Sequence, residues 1–349
     1  MRIKKKIMDM LPASTLAKYR LQKEKYRNFK LDRQMKSVVK KDFIYDYNRY
    51  IKFAAYQQLD TKEKLAAFLI REYHAVEKGL SLKNVKIGFG IDRISNLIDK
   101  FNIYLERYNR DYVTDISISC FKAYLEFDEK HNNNINPIRS KLVATIEKYQ
   151  FDDIDHTKGG TKILNKTDIL STLHFDYQAF FKSRHSTRDF TDEPVDRLII
   201  TDAISLARFT PSVCNRQAWR VFMIDGANRP LMDKFLSVQN GNKGFGQHIS
   251  TLLVITGKLS SFFSFERNQV FIDGGMFAMS VVLALHAKGL GVCCLNTSYS
   301  AESHEAFNQV MPLDDDIVPI MFIGIGHLKD SYKVAVSERK PLEEILQIL

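Results

Sequence analysis

The sequence predicts an α+β protein in which a mostly helical N-terminal region precedes a three-layer α/β/α domain. Three observations lead to this prediction. From about Leu16 to Ile146, glycine and proline are scarce and apolar residues recur at helical spacing. A polar stretch from Phe151 to Lys166, rich in Asp, Gly, Lys and Thr, is then typical of a linker or a long surface loop. After it, helical and strand-like patterns alternate, which indicates a sheet sandwiched by helices.

The chain is long enough for two folded units. Its 349 residues are 45% hydrophobic and 26% charged, which is a globular balance, and the length exceeds what one core usually supports. We place a basic arm at residues 1–41, a helical region at residues 42–165 and the α/β/α domain at residues 170–349. Two apolar helix faces are predicted to be buried in the helical region: Leu65, Phe68, Leu69 and Tyr73 on one, and Ile94, Leu97, Ile98 and Phe101 on another.

The domain after the linker is predicted to begin with a helix. Pro194 is expected just inside its start, with Thr191 and Asp192 as capping candidates. Its apolar stripe is predicted to consist of Leu198, Ile199, Ala203, Leu206 and Ala207. Further helices are predicted at Phe271–Lys288, where Gly289 is a usual stop, and at Ser303–Val310, with strands at Trp219–Ile224, Thr251–Thr256, Gly291–Leu295 and Ile317–Ile325.

The positive charge of the chain is concentrated at its N-terminus. The net charge is +10, and residues 1–41 hold 14 basic and 3 acidic side chains, which leaves the remainder near neutrality. A nucleic-acid enzyme usually spreads positive charge over its binding face, so this pattern argues against one. The arm is expected either to be a solvated basic helix or to rest on an anionic membrane surface through Ile3, Ile7, Met10 and Leu11.

Several other classes of site are not expected. The four cysteines include no Cys-x-x-Cys pair, so neither a disulfide framework nor a metal site is predicted. Without disulfides, the sequence predicts a cytoplasmic location. No membrane span is expected, because the most apolar helix candidate, Met276–Leu285, is too short. His74 and Glu77 share a helical face. A metal or active-site role stays open for them, but a surface ion pair beside a helix end capped by Gly79 is favoured.

Two polar motifs carry the candidate chemistry. The segment Arg184-His185-Ser186-Thr187-Arg188 places three potential cations and two hydroxyls together, and a guanidinium supplies a planar fork for two phosphate oxygens. The stretch Thr210–Trp219 offers hydroxyl, amide and backbone groups to the polar edge of a flat heterocycle. Taken alone, the first motif indicates a basic surface turn, and the second is also compatible with a plain helix-to-strand turn. Weaker signals are Gly289 and Gly291, which permit close backbone approach to a ligand, and Arg339, a second cationic contact.

The order and spacing of these motifs resemble the nitroreductase family over about Asp176 to the C-terminus. The resemblance implies a three-layer fold with a central, mainly antiparallel sheet, and a homodimer that binds FMN at the subunit interface. Ala218 departs from the family, which commonly has proline before the tryptophan, and the vicinal Cys293 and Cys294 are unusual and expected to be small buried thiols. The segments that carry the resemblance are Lys182–Phe190, Pro194-Val195, Pro211–Trp219, Asp273–Gly291, Gly324-Ile325-Gly326 and Arg339.

Carried onto this sequence, the resemblance divides the flavin contacts between two subunits. No catalytic side chain is implied, because a bound flavin performs hydride chemistry itself. Arg184, His185, Ser186 and Arg188 would hold the phosphate, the ribityl chain and the pyrimidine edge, with Arg339 closing on the phosphate. Leu295 and Asn296 would lie near the ring system, and Pro211, Ser212 and Asn215 would line the flavin from the other subunit.

Three functional hypotheses follow. The leading one is an FMN-dependent oxidoreductase that passes reducing equivalents from NAD(P)H to a nitroaromatic, a quinone or a biosynthetic intermediate. A second is a flavin-dependent oxidase or dehydrogenase of a biosynthetic pathway, such as one for surface polysaccharide. A third is a non-catalytic dimeric module that docks to a membrane-associated assembly through the basic arm.

Overall fold

The computed structural model describes residues 12–54, 58–131, 137–149, 153–297, 300–310 and 313–349. The predicted membrane-facing residues Ile3, Ile7, Met10 and Leu11 lie outside these ranges. The N-terminal half is helical, as predicted. Its helices are α1 at Ala13–Phe53, α2 at Lys62–Leu80, α3 at Ile91–Tyr108, α4 at Tyr112–Lys130 and α5 at Arg139–Lys148.

Helices α2 to α5 enclose a core of their own. The two predicted apolar faces are buried in it: Leu69, Leu97, Ile98 and Phe101 are fully inaccessible to solvent. The predicted role of Gly79 is wrong, since α2 continues to Leu80 and the cap position is Ser81. Gly79 instead makes room for a neighbour, because a Cβ atom there would lie 2.1 Å from Cε2 of Phe89.

The segment predicted as a linker packs against the helical region around Ile154, Gly159 and Gly160, and it is exposed throughout residues 161–166. It contains one turn of 3-10 helix at His156–Lys158. Gly159 and Gly160 press against α4, where added Cβ atoms would lie 2.7 Å from the Cβ atoms of Ser119 and Ala123. Two short helices, α6 at Lys166–Ser171 and α7 at Tyr177–Ser183, then lead to the second domain.

The second domain is built on one antiparallel sheet, in agreement with the predicted fold class. Its described strands lie in the order β1-β2-β4-β3, and each neighbouring pair is antiparallel. Strand β2 is buried from Thr251 to Gly257, as expected for a central position. The strands are β1 at Trp219–Asp225, β2 at Thr251–Lys258, β3 at Leu290–Asn296 and β4 at Ile317–His327.

Helices cover both faces of this sheet. Alternate strand residues point to opposite sides, so that Leu253 and Ile323 join one apolar cluster while Leu252 and Phe322 join the other. The first cluster includes residues of α8 and α10, and the second includes residues of α9 and α11. These helices are α8 at Arg197–Ala207, α9 at Arg229–Ser237, α10 at Gln269–Ala287 and α11 at Ala301–Val310.

Two predictions about these helices need correction. Helix α8 begins at Arg197, because the Asp196 side chain accepts a hydrogen bond from Leu198 N and so caps it after Pro194. Its buried stripe is Ile200, Ala203 and Ala207, whereas Leu198 and Leu206 are 74% and 51% exposed. In addition, α10 is long and apolar enough to cross a membrane by length and composition alone. Packing on the sheet accounts for one side of this helix, whereas Phe271, Ile272, Met276 and Met279 on its other side are 39% to 52% exposed.

Helix α1 is docked only by its C-terminal third. Every residue from Ala17 to Lys41 is exposed. Beyond them, the Arg49 guanidinium donates to the carbonyl oxygens of Asp315 and Ile317, each at 2.8 Å, and Tyr45 Oη lies 2.6 Å from Nδ1 of His304. Residues 17–40 of the predicted basic arm are therefore the exposed end of a helix held against the second domain, and Lys41 already pairs with Glu302 at 2.8 Å.

Candidate functional site

The first polar motif lies against the edge strand β3. Ser186 forms a parallel bridge with Val292, and Thr187 N donates to the Val292 carbonyl at 2.9 Å. This contact explains Gly291, at which a Cβ would lie 3.0 Å from Cγ2 of Thr187 and 3.0 Å from Cε1 of Phe190. Gly291 thus permits close packing of two protein segments, and the ligand approach to it stays a prediction.

Arg184 and Arg188 bracket this edge with uncompensated positive charge. Among the described residues, neither guanidinium forms an ion pair with a carboxylate. Burial lowers the pKa of His286 below its ordinary value, and the charges of Arg184 and His185 lower it further. Burial likewise raises the pKa of the Cys293 thiol, and Arg188 opposes that rise. Both arginines are therefore close enough to influence the end of α10 and the strand β3.

His185 and Ser183 order the start of the same segment. The Nδ1–H of His185 donates to the Ser183 carbonyl at 2.9 Å, which leaves Nε2 for another partner. The Ser183 hydroxyl lies 2.8 Å from Nε2 of His286. A half-buried guanidinium, an imidazole nitrogen and the hydroxyl of Ser186 are thus grouped beside β3. This is a donor set suited to an anionic, oxygen-rich ligand.

The second polar motif forms a tight loop with unusual backbone geometry. Cys214, Asn215 and Gln217 have φ angles of 47°, 52° and 48°, which lie in the left-handed region that non-glycine residues seldom adopt. The loop holds this shape by internal bonds, since Ser212 Oγ accepts from Gln217 N at 3.0 Å. Pro211 and Asn215 are exposed. The loop therefore presents fixed polar groups to whatever lies opposite.

Comparison with known proteins places both motifs within one family match. The model described as "Nitroreductase family" matches residues 181–255, a span that contains both motifs. Nitroreductase homologues match roughly the C-terminal half of the chain. This relationship supports a flavin-dependent oxidoreductase in general terms.

Individual relatives are distant. NAD(P)H nitroreductase YodC of Bacillus subtilis (strain 168) is 22% identical over 197 residues, 47% of this chain and 94% of its own. A 4-nitrobenzoate reductase of Pseudomonas putida is 27% identical over 73 residues, which are 21% of this chain and 32% of that protein. A solved structure, a nitroreductase in complex with FMN from Desulfovibrio desulfuricans, is 21% identical with a TM-score of 0.42, and the match covers 49% of this chain and 95% of that one.

The remaining predicted residues of the second domain differ in their exposure. Leu295 is buried in the core, so only its backbone is open to a ligand, whereas Asn296 is exposed and its carbonyl accepts from Gln239 Nε2 at 3.1 Å. Arg339 lies in an exposed segment after β4, where it donates to the carbonyl of Ser337. Within the described part of the chain, no hydrogen bond or ion pair joins Arg339, or the loop from Pro211 to Asn215, to the Arg184–Arg188 segment.

The vicinal cysteines, Cys293 and Cys294, differ in their exposure to solvent. Cys293 is buried in the core, and the expectation for it is confirmed. Cys294 is exposed, so the expectation of a buried thiol is wrong there. The alternation of side chains along β3 accounts for the difference.

Sequence reasoning missed two residues that shape the second motif. Asp273 is 1% exposed on α10, and its Oδ2 accepts from Val213 N at 3.1 Å. Burial raises the pKa of this carboxyl, while the bond from Gln269 and the Val213 amide oppose the rise. The other is Arg216, whose side chain is completely buried and bound to Glu266. Asp273 had a visible signal, since it is an acidic residue within an otherwise apolar helix.

Proposed function

We propose that the chain is an FMN-dependent oxidoreductase that takes reducing equivalents from NAD(P)H and delivers them to a small organic acceptor. The observation that carries this proposal is the pair of guanidinium groups, Arg184 and Arg188, that flank the β3 edge without carboxylate partners. A half-buried cation such as Arg184 is costly without a counter-ion, and an anionic ligand removes that cost. The FMN phosphate is such an anion.

The donor set fits the cofactor. Arg184 and Arg188 would hold the phosphate through charge-assisted bonds, while Nε2 of His185 and the Ser186 hydroxyl would meet the ribityl chain and the pyrimidine edge. Asn296, exposed at the end of β3, would border the ring system together with the backbone of Leu295. Arg339 would close on the phosphate if its exposed segment folds over the bound cofactor. Bound FMN supplies the capacity to accept and donate hydride.

A homodimer completes the site in this proposal. The exposed side of α10 carries Phe271, Ile272, Met276 and Met279, which are between 39% and 52% exposed. Such a contiguous apolar face on a helix usually marks an interface. The Pro211–Asn215 loop has no bond to Arg184 in its own subunit, so a two-fold partner would supply that loop to each flavin. The same arrangement would exclude water from the ring.

The side chains of this proposed site position the flavin and do not act as acids or bases. Asp273, the buried carboxylate that contacts the second motif, is already committed to the Val213 amide and to Gln269. The positive charge near the β3 edge would stabilise negative charge that develops on reduction. Nitroaromatics, quinones and biosynthetic intermediates are the acceptor classes we propose. The name of the Pseudomonas putida relative points to the first of these.

The test is an anaerobic absorbance spectrum of the purified full chain before and after addition of NADH or NADPH. The proposal expects a flavin spectrum that either donor bleaches, with recovery on addition of a nitroaromatic or a quinone. A protein that remains colourless after incubation with FMN would overturn it. A flavin that binds but is bleached by neither donor would instead favour a flavin-dependent oxidase or dehydrogenase.

We also propose a cytoplasmic location with peripheral membrane contact through the basic arm. The exposed part of α1 combines lysine and arginine with apolar side chains such as Tyr26, Phe29 and Met35, which are 63% to 71% exposed. Each basic residue near an anionic surface contributes about 1 kcal/mol. Flotation of the full chain with vesicles containing phosphatidylserine, compared with a chain lacking residues 1–41, tests this. Equal flotation of the two would discard the arm as an anchor.

A further inference from the structure

A second concave surface lies away from the flavin motifs, between the helical region and the second domain. It is a groove of about 620 Å³, a volume within the range of small-molecule sites. Its walls come from α2, from α3 and from the turn that contains Ser264. We call it the α2–α3 groove and define it by its lining residues: Leu59, Leu65, Phe68, Arg71, Lys100, Ile103, Arg107, Phe263, Ser264 and Phe265.

The charge of this groove is uncompensated. Among the described residues that line it, three are cationic and none is acidic. Arg71 pairs with Glu72 at 2.5 Å, a carboxylate that also pairs with Arg93 at 3.0 Å. Lys100 and Arg107 form no ion pair with any carboxylate among the described residues, although acidic neighbours on α3 such as Asp99 do find cationic partners. Two positive charges therefore face the groove with solvent as their only counterpart.

The position of these two cations on the helix is informative. Lys100, Ile103 and Arg107 are spaced by three and four residues, so they share one face of α3. Seven residues of helix span roughly 10 Å. An apolar side chain, that of Ile103, therefore separates the two charges. A ligand can bind both with an anionic group at each end of an apolar body. A ligand with one anionic group can bind one cation and place a long body along the groove.

The opposite wall of the groove is aromatic. Phe263 and Phe265 lie with ring centroids 6.0 Å apart and planes inclined by 10°. The Arg71 guanidinium covers the Phe263 ring at 4.2 Å from its centroid. Phe265 is 78% exposed, which is an unfavourable position for so large an apolar side chain unless something covers it. Flat ring faces beside free cations match a flat ligand that carries negative charge.

From these contacts we infer that the α2–α3 groove binds a small aromatic organic anion, such as an aryl phosphate, an aryl carboxylate or a nucleotide. The ring of the ligand lies on Phe265 and against Ile103, and its anionic group meets Lys100 or Arg107. This site is distinct from the Arg184–Arg188 segment and shares no lining residue with it. The inference does not depend on the proposed flavin chemistry.

The test is a calorimetric titration of the full chain, saturated with FMN, with 1-naphthyl phosphate as the probe. The variant Lys100→Ala/Arg107→Ala should weaken binding at least tenfold, and Phe265→Ala should weaken it about as much. The matched control is Lys23→Ala/Lys30→Ala, which removes two charges at the same spacing from the exposed part of α1. It should change the affinity less than twofold.

Two further arms of the titration show whether the probe needs both of its groups and whether it binds at this groove. Inorganic phosphate and 1-naphthalenemethanol, which supply the charge or the ring alone, should each bind at least tenfold more weakly than 1-naphthyl phosphate. The variant Arg184→Ala/Arg188→Ala should bind the probe as the unchanged protein does. The inference is overturned if the probe fails to bind, if the groove variants bind it normally, or if the Arg184/Arg188 variant is the one that loses it.

Discussion

Arg216 and Glu266 form a buried ion pair, with Nη2 of the arginine 2.6 Å from Oε1 of the glutamate. The arginine side chain is 0% and the glutamate side chain 10% exposed. Glu266 also accepts from Phe263 N at 2.9 Å, and the Arg216 guanidinium lies over the rings of Phe262 and Phe263. The pair thereby joins the loop proposed to line the flavin to the segment that borders the helical region.

Removal of either partner of this ion pair should destabilise the folded protein. Arg216→Ala or Glu266→Ala leaves one charge buried without its partner, so we expect each to lower the free energy of unfolding by about 3–5 kcal/mol. Chemical denaturation followed by circular dichroism measures this. The double variant Arg216→Met/Glu266→Leu removes both charges and should recover a large part of the loss. A double variant that is as unstable as the sum of the single ones would contradict the interpretation.

The phosphate contacts predicted for Arg184 and Arg188 can be tested separately from folding. Arg184→Ala should remove a charge-assisted contact of about 1.5–3 kcal/mol and so weaken FMN binding about tenfold or more. Arg188→Ala should act in the same direction. Fluorescence titration of the apoprotein with FMN gives the affinity. Arg208→Ala, an exposed arginine at the end of α8, is the control and should bind FMN normally.

Much of this fold could be predicted from the sequence because its signals are local. The four strands are short apolar runs between turn residues, and the structure moves their ends by two residues at most. The prediction for Leu198 is wrong because the face of α8 that packs on the sheet is formed by Ile200, Ala203 and Ala207, and Leu198 lies off that face. The ion pair of Arg216 could not be predicted, since its burial depends on the distant segment at Glu266. The exposure of Arg339 likewise depends on tertiary contacts.

The buried side chain of His304 should make the stability of the protein depend on pH. Burial, together with the smaller effect of the nearby Arg49 charge, lowers its pKa from 6.5 to about 4. A neutral ring satisfies both neighbours if Nδ1–H donates to Tyr45 Oη, at 2.6 Å, and Nε2 accepts from Arg49, at 3.4 Å. Because the unfolded chain binds this proton more readily, the contribution to stability is lost as the pH falls from about 6.5 toward 4.

The size of this effect can be isolated with one variant. At pH 4.5 the free energy of unfolding should be lower than at pH 7 by about 2–3 kcal/mol. This figure follows because a pKa shift of one unit corresponds to about 1.4 kcal/mol. His304→Gln cannot take up the proton, so its stability should fall less over this interval than that of the unchanged protein. Urea unfolding at several pH values gives the two slopes. Parallel slopes would show that other groups account for the acid sensitivity.

The exposed face of α10 provides the most direct test of the proposed dimer. Ile272 and Met276 lie one helical turn apart and are 52% and 39% exposed. Ile272→Asp/Met276→Asp should place two carboxylates in the interface, where their desolvation is unfavourable. We expect this variant to be a folded monomer by light scattering and to lose FMN, because the Pro211–Asn215 loop of a second subunit would be withdrawn.

A control variant separates this effect from a general loss of solubility or folding. Leu82→Asp introduces a carboxylate at a leucine of the helical half that is 62% exposed. It should leave both the mass of the particle and the flavin content unchanged. If the unaltered protein is monomeric and still binds FMN, the flavin site lies within one subunit, and the role given to the Pro211–Asn215 loop is wrong. Retention of FMN by a monomeric α10 variant would lead to the same conclusion.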